Sequence, residues 1–419
     1  MLLLTAVLTV LSVIAPPVPG DTVMLSFADV AVSVRTRSPL LFAERQSALA
    51  LTADAKQTGL FDNPQFNAEV PLYTKSKNTW FDVGAQGQFA LLIQQNIPLS
   101  GARGYAQEAG SLRAQAASSD VVQHERGLLL DAYGAYSTLV YARRSYVSLT
   151  RQLDLLRGLI KGLDEQLGKG NVALRDVLRI KAAYYAINDE RTSILSDIRD
   201  ARAILEVATG VQGIIVPIET EMDSTAISRL LNANTDALVD SAMKHRADVA
   251  SALLALQSAE AANTAAQRKG VPSPTVGLMY DQAGSYAPNY YALTLSVPIP
   301  AIDRNQWASE ATNARIIEAR ARLDQQRLAV RAEVIAAVNR LQTYQDELEN
   351  IDPSFVRLAE ELTNAIIDNY RKGNVSLLEF VDFIETYNGS IVRIDRLTAA
   401  RAIAGAQVFY VIGEDPYGR

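Results

Sequence analysis

Lys169-Gly170-Asn171-Val172 and Lys372-Gly373-Asn374-Val375 are the same four residues, about 200 positions apart in one chain. Each copy stands between two long stretches of heptad-spaced apolar residues, so the chain reads as a tandem duplication of one unit. Other landmarks keep the same order. Asp176 falls on Glu379, Gly210 on Gly413, Asn63-Pro64 near Ser273-Pro274, and Ile97-Pro98 near Val297-Pro298.

Working outward from the first turn, apolar or small residues recur at steps of three and four from Leu128 through Leu139, Leu149 and Leu156 to Leu167. The seam resumes at Val177 and runs through Ile180, Ile194 and Ile198 to Ala208, with Arg191 as its break. That spacing predicts two antiparallel helices joined by a tight turn. In the second repeat Leu323 to Ile351 leads up to the turn and Leu377 to Ile394 leads away, with Arg327 as the charged seam position. Asp352-Pro353 interrupts the helix that leads up to this second turn, where a kink or short break is expected. The helix predicted from about Ala102 to Leu167 would be on the order of 100 Å long at 1.5 Å per residue. Frequent Ala on the seam suits a barrel in which each helix has neighbours on two sides, and the heptads alone suit a coiled-coil rod equally.

The segments between the helices separate those readings. From Phe81 to Ile97 apolar and polar residues alternate, and Phe66, Ala68, Val70 and Leu72 alternate with Asn67 and Glu69 before the turn Lys75-Ser76-Lys77-Asn78. Period two predicts a β-hairpin. The second repeat follows suit with Val276, Leu278 and Tyr280, a loop around Gly284-Ser285-Tyr286, then Tyr291, Leu293, Leu295 and Val297. One apolar face and one Gln-, Ser- and Asn-rich face suits the wall of a transmembrane barrel, although a soluble sheet on a core alternates in the same way. Trp80, Tyr73, Tyr280, Tyr286, Tyr290 and Tyr291 gather near the loop ends, where an interfacial aromatic girdle belongs. Four strands cannot close a barrel in lipid, so oligomerisation is expected: two copies would supply eight strands with a filled interior and three would supply twelve around a pore, which a conduit favours.

Composition narrows the function classes. With 40 Lys+Arg against 46 Asp+Glu the net charge is -6, which gives no footprint for nucleic acid. Cys is absent and His occurs only as His124 and His245, so disulfides, thiolate sites and a single-chain multi-His metal centre are excluded. No nucleotide loop or nucleophile motif is present, and neither an enzyme nor a cofactor is expected. Met1 to Ile14 is an apolar run closed by Pro16-Pro17 and Pro19-Gly20, read as a secretory signal, with a short retained anchor as the rival. The expected organisation is a signal peptide over 1–20, a first repeat over 21–212 with its hairpin at about 65–98 and helix turn at 168–171, and a linker over 213–234. A second repeat follows over 235–413 with its hairpin at about 274–298 and turn at 371–374, and then a tail over 414–419.

Helix, hairpin and long helix pair, given twice, resembles the outer-membrane efflux protein family of TolC-like channels. Leu295-Ser296-Val297-Pro298-Ile299-Pro300-Ala301-Ile302-Asp303-Arg304-Asn305-Gln306 is similar to the segment leaving the second hairpin in its cation-efflux branch, the cobalt-zinc-cadmium type. Tyr370 to Glu379 is similar to the helix turn at the periplasmic tip. The resemblance implies a mainly α fold with a membrane hairpin pair, assembled as a homotrimer. Its α-barrel tunnel would cross the periplasm and its twelve strands the outer membrane. It also implies docking of a periplasmic adaptor and an inner-membrane pump of RND type, in contact with outer-membrane lipid. Multidrug efflux and type I secretion use the same architecture, and a periplasmic coiled-coil scaffold is the reading from another class.

Glu379 and Asp382 stand three apart past the second turn and so share a helix face. In the family, carboxylates at matching positions line the narrow end of the tunnel, which implies rings of negative charge in a trimer. Asp176 and Arg179 hold the matching places in the first repeat, and an Arg–carboxylate pair between repeats or subunits would hold the tip shut. All four also read as ordinary solvated helix charges. Gly170, Asn171, Val172, Gly373, Asn374 and Val375 fall where the resemblance places adaptor contact, although Gly is expected as a helix cap at such turns in any case.

Overall fold

The computed structural model describes residues 22–218, 224–283, 287–352 and 354–414. The expected signal segment, Tyr286 with its loop, Pro353 and the end of the tail lie outside the described residues. Strand β1 (Thr22–Leu25) precedes helices α1 (Phe27–Arg37) and α2 (Pro39–Thr58). Strands β2 (Gln65–Glu69), β3 (Tyr73–Thr74), β4 (Thr79–Trp80) and β5 (Ala90–Asn96) lead to the helix pair α3 (Ala102–Gly168) and α4 (Leu174–Thr209). The second repeat is entered through β6 (Ile214–Pro217), α5 (Ser224–Leu231), α6 (Thr235–His245) and α7 (Ala247–Arg268). Strands β7 (Thr275–Asp281) and β8 (Tyr290–Ser296) then lead to α8 (Gln306–Glu349), α9 (Phe355–Arg371) and α10 (Leu377–Ile412). No helix among the described residues is long and apolar enough to cross a membrane.

The chain forms two compact units that cut across the repeats, each drawing on both. The first takes the described residues of Met1–Phe42, Gln123–Arg246 and Val330–Arg419. Its core follows the predicted seams. Leu139, Leu149, Leu153 and Leu156 of α3, Ile180, Ile194 and Leu205 of α4, and Phe380 and Ile384 of α10 are all buried. Each such side chain removed from water stabilises the unit by about 1.5–3 kcal/mol. Strand β1 pairs in parallel with β6, and the buried Tyr136 phenol of α3 donates to Leu25 O (3.2 Å) and to Ile218 O at the ends of these strands. Phe27 packs edge-on to Tyr133 and Tyr136, with its ring centroid 4.6 Å from that of Tyr133. Gly210 (φ 65°) and Gly413 (φ 75°) end α4 and α10 with the same left-handed cap, so the duplication extends to the helix stops.

The second unit, Ala43–Val122 with Ala247–Ala329, carries the four-stranded antiparallel sheet in the order β2-β5-β7-β8. The paired strands of both hairpins lie within the expected spans, about 65–98 and 274–298, but the first is not strand throughout. Its returning strand begins at Ala90, and the turn at 75–78 closes only the two-residue ladder β3–β4. Two features stop the alternation at Phe81 from becoming a strand. Phe81 takes φ 51°, outside any extended conformation, and Asp82 is drawn back by an ion pair with Lys77 (3.0 Å). In the second repeat α8 stops at Glu349 and α9 starts at Phe355, so the interruption expected at Asp352 is a full break. The Asp352 carboxylate accepts from Ser354 N and Oγ at 2.8 Å each, a local alternative to helical bonding.

Candidate functional site

At the tip, each hairpin turns on one left-handed glycine, Gly170 (φ 75°) and Gly373 (φ 77°). Open space surrounds both, so the backbone conformation and not crowding selects glycine there. The next residue closes the turn alike in both repeats. Asn171 donates from its backbone to Gln166 O (3.0 Å), and Asn374 donates to Asn369 O (2.9 Å). Their carboxamides reach back to Gln166 Oε1 (2.8 Å) and Asn369 Oδ1 (3.4 Å). Gly170, Asn171, Gly373 and Asn374 are exposed, and Val172 and Val375 are half-buried.

Glu379 caps its own helix. Ser376 N donates to its carboxylate (2.9 Å), and Ser376 Oγ accepts from Glu379 N (3.2 Å), a reciprocal capping box. Hydrogen bonding of the carboxylate by the Ser376 backbone N–H, and then by the Ser376 side chain, holds the Glu379 carboxyl below the ordinary glutamate range. With a depressed folded value, the cap's contribution is complete above that range and fades as pH falls through the lower, folded value. Asp382 is exposed one turn on. Asp176 takes Arg175 as its partner within the chain (3.5 Å), while Arg179 is exposed and makes no ion pair among the described residues of the single chain.

Tyr370 is the tip residue that the sequence reading passed over. It stacks on Phe380 at 4.9 Å, and burial together with the charge of Asp176 raises its phenol above the ordinary tyrosine value. Asp176 of the first hairpin and Tyr370 of the second thus feel one another. The signal was present in the repeat alignment, where Tyr370 matches Leu167 and replaces an aliphatic seam residue with a hydroxyl-bearing one. Beside it runs a groove of about 650 Å³ bordered by Leu155, Gly158 and Gly162 of α3, Ile367 of α9 and Phe380 of α10.

In the sheet, register places Phe66, Ile93, Leu278 and Leu293 in one row across all four strands, followed by Ala68, Leu91, Tyr280 and Tyr291. This face is bare: Phe66 is 66%, Leu278 63% and Leu293 74% exposed. The opposite face carries the row Gln65, Gln94, Gly277 and Thr294, with Gln94 Nε2 donating to Gln65 Oε1 (2.9 Å). Its next row, Asn67, Leu92, Met279 and Ala292, is polar only at β2. Tyr73 with Trp80 (5.2 Å) and Tyr280 with Tyr291 (5.1 Å) form aromatic pairs toward the loop ends. Strands β2 and β8 each keep one unpaired edge among the described residues.

The Leu295–Gln306 stretch is the connector from β8 to α8. Asn305 takes φ 61°, donates from its side chain to Ala266 O (2.6 Å) and from its backbone to Asp303 Oδ1 (2.8 Å). Its polar residues set the entry of a helix. No three metal-ligating side chains come together among the described residues.

Residues 238–414 match the sequence model of the outer membrane efflux protein family. No curated protein sequence matches the chain. Among solved structures, CusC, described for conformational changes accompanying folding and transmembrane channel formation, superposes with a TM-score of 0.73 at 16% identity, over 93% of this chain and 92% of that one. The CmeC outer membrane channel of Campylobacter jejuni gives 0.70 at 14% identity over 92% and 84%. The outer membrane protein VceC of Vibrio cholerae gives 0.70 at 16% identity over 93% and 96%. At these identities the likeness is one of fold, and it spans both repeats.

Proposed function

We propose, from the match of residues 238–414 to the outer membrane efflux protein family and the fold shared with outer-membrane channels, that the chain belongs to that family and is the passive outer-membrane channel of a tripartite efflux system. Three copies close a twelve-strand barrel continued by a helical tunnel through the periplasm, which meets an adaptor and an inner-membrane pump of RND type. The observation that carries this reading is the sheet. Four strands with bare apolar rows on one face and an unpaired edge at each end fit lipid only if further copies complete the wall. A sheet packed on a soluble core would cover the Phe66–Leu293 row.

The cargo is divalent metal cations. This rests on the similarity of the Leu295–Gln306 stretch to the cation-efflux branch, and cargo selection falls to the pump because the chain has no Cys and only two His and five Met to serve as soft ligands. A strain lacking the protein is expected to lose growth on cobalt, zinc, cadmium or copper salts and to regain it on complementation. Sensitivity to dyes, detergents and antibiotics without metal sensitivity would replace the metal cargo with a multidrug one.

Glu379 and Asp382 of three chains ring the tip, Asp176 and Tyr370 link the hairpins that must part when it opens, and the exposed Arg179 is open to a carboxylate of a neighbouring subunit. Glu379→Gln with Asp382→Asn is expected to lower cation-over-anion permeability in a planar bilayer severalfold, because acidic rings concentrate cations at a constriction. Unchanged currents would remove these carboxylates from the gate.

A further inference from the structure

Lys181 and Asp164 pair at 2.9 Å across the α3–α4 hairpin. Three heptads farther from the tip the same flank carries Arg143 and Arg202, since both positions lie 21 residues from their counterparts. An attractive pair is thereby replaced by two guanidinium groups. Both are half-buried, and Arg202 Nε is shut off from water without a hydrogen-bond acceptor. Burial and the neighbouring Arg143 charge both lower the Arg202 value. Neither arginine makes an ion pair among the described residues. Like charges at flanking heptad positions are costly within one hairpin and normally mark where a partner is chosen.

This flank faces away from α10. Ser145 lies two residues beyond Arg143, and so about 200° around the helix, and it donates to Asp395 of α10 at 2.5 Å. Helix α10 therefore covers the opposite side of α3. The second repeat offers the complement. Asp346 and Glu347 of α8 are exposed, and Asp346 stands 27 residues ahead of Gly373, as Arg143 stands 27 ahead of Gly170. Asp346 accepts only from Gln342 of its own helix (2.6 Å), and Glu347 has no partner among the described residues.

We propose that Arg143 and Arg202 form a carboxylate-binding site for a second copy of the chain, filled by Asp346 and Glu347 of its α8. The proposal rests on the trimeric reading above, in which the first repeat of one chain abuts the second repeat of the next. A carboxylate seated between two guanidinium groups gains charge-assisted hydrogen bonds and cancels their repulsion. It also sets the order of subunits around the ring, since the first-repeat flank accepts only an acidic neighbour.

The test is the dissociation constant of the full-length trimer in detergent, from native mass against dilution. Arg143→Glu with Arg202→Glu is expected to raise it about tenfold, and adding Asp346→Lys with Glu347→Lys in the same chain is expected to restore it. Arg143→Met with Arg202→Met separates folding from assembly, with helical circular dichroism retained and the trimer weakened about as much. Charge reversal without effect on dissociation, or a four-site variant no tighter than the reversal alone, would overturn the site. A wild-type chain that stays monomeric at every concentration would instead refute the trimeric reading itself, and the site with it.

Discussion

Tyr136→Ala is expected to lower the stability of the first compact unit by about 3–5 kcal/mol, the range for removing a fully buried large aromatic side chain. The ring is 2% exposed and packs against Phe27, so its loss leaves a cavity that the crossing helices cannot collapse into. The phenol also fastens the ends of β1 and β6, strands from opposite sides of the first helix pair. Tyr136→Phe removes that bond alone and is expected to cost about 1–2 kcal/mol. Both Trp residues, Trp80 and Trp307, lie in the second unit, so the change is to be read from helical circular dichroism during chemical unfolding in detergent. Equal midpoints for Tyr136→Ala and wild type would show that the strand pair is not fastened here.

The second large effect is asymmetric between two partners. Arg246 closes α6, is 3% exposed, and donates from Nη1 to Glu333 (2.5 Å) and to Val411 O (3.4 Å). Glu333 is half-exposed at 46%, so it rehydrates readily when Arg246 is replaced, and Arg246→Met is expected to cost only about 1 kcal/mol. Glu333→Leu takes a carboxylate from a desolvated guanidinium that keeps its donation to Val411 O and is expected to cost about 3 kcal/mol, the lower end for a broken buried pair because one side of it meets water. The double variant is expected to fall between wild type and Glu333→Leu, close to wild type. The same unfolding measurement checks the order, and an Arg246→Met cost larger than that of Glu333→Leu would reverse the argument.

What could be read from the chain followed the strength of its periodicity. The seam from Leu128 to Leu167 spans enough heptads to mark the tip end of α3 within a residue, and the β7–β8 hairpin keeps apolar or aromatic residues at every other position, Val276, Leu278 and Tyr280 against Tyr291, Leu293 and Leu295. The first hairpin misled because Phe81, Val83 and Phe89 keep period two through a loop. Their parity is set by sequence alone, whereas the conformation is set by Lys77 reaching Asp82 and by a positive φ at Phe81. The β1–β6 pair was missed because four-residue strands joined in parallel across some 190 residues carry no local signal. At the tip, the repeat located the glycines and the carboxylates. It did not disclose that Glu379 is spent on Ser376 or that Asp176 acts on Tyr370, since both depend on rotamers and on how two hairpins meet.

The two repeats are not mechanical equals. Helix α3 runs through 67 residues without interruption, whereas its counterpart is cut between Glu349 and Phe355 into α8 and α9. A continuous helix resists bending through its unbroken ladder of backbone bonds, and a cut one yields where that ladder is absent. In the trimer proposed above, three uninterrupted staves would alternate with three interrupted ones. If the proposed trimer opens at its tip, the difference between uninterrupted and interrupted helices gives that opening a threefold pattern instead of the sixfold one that the repeated turns suggest.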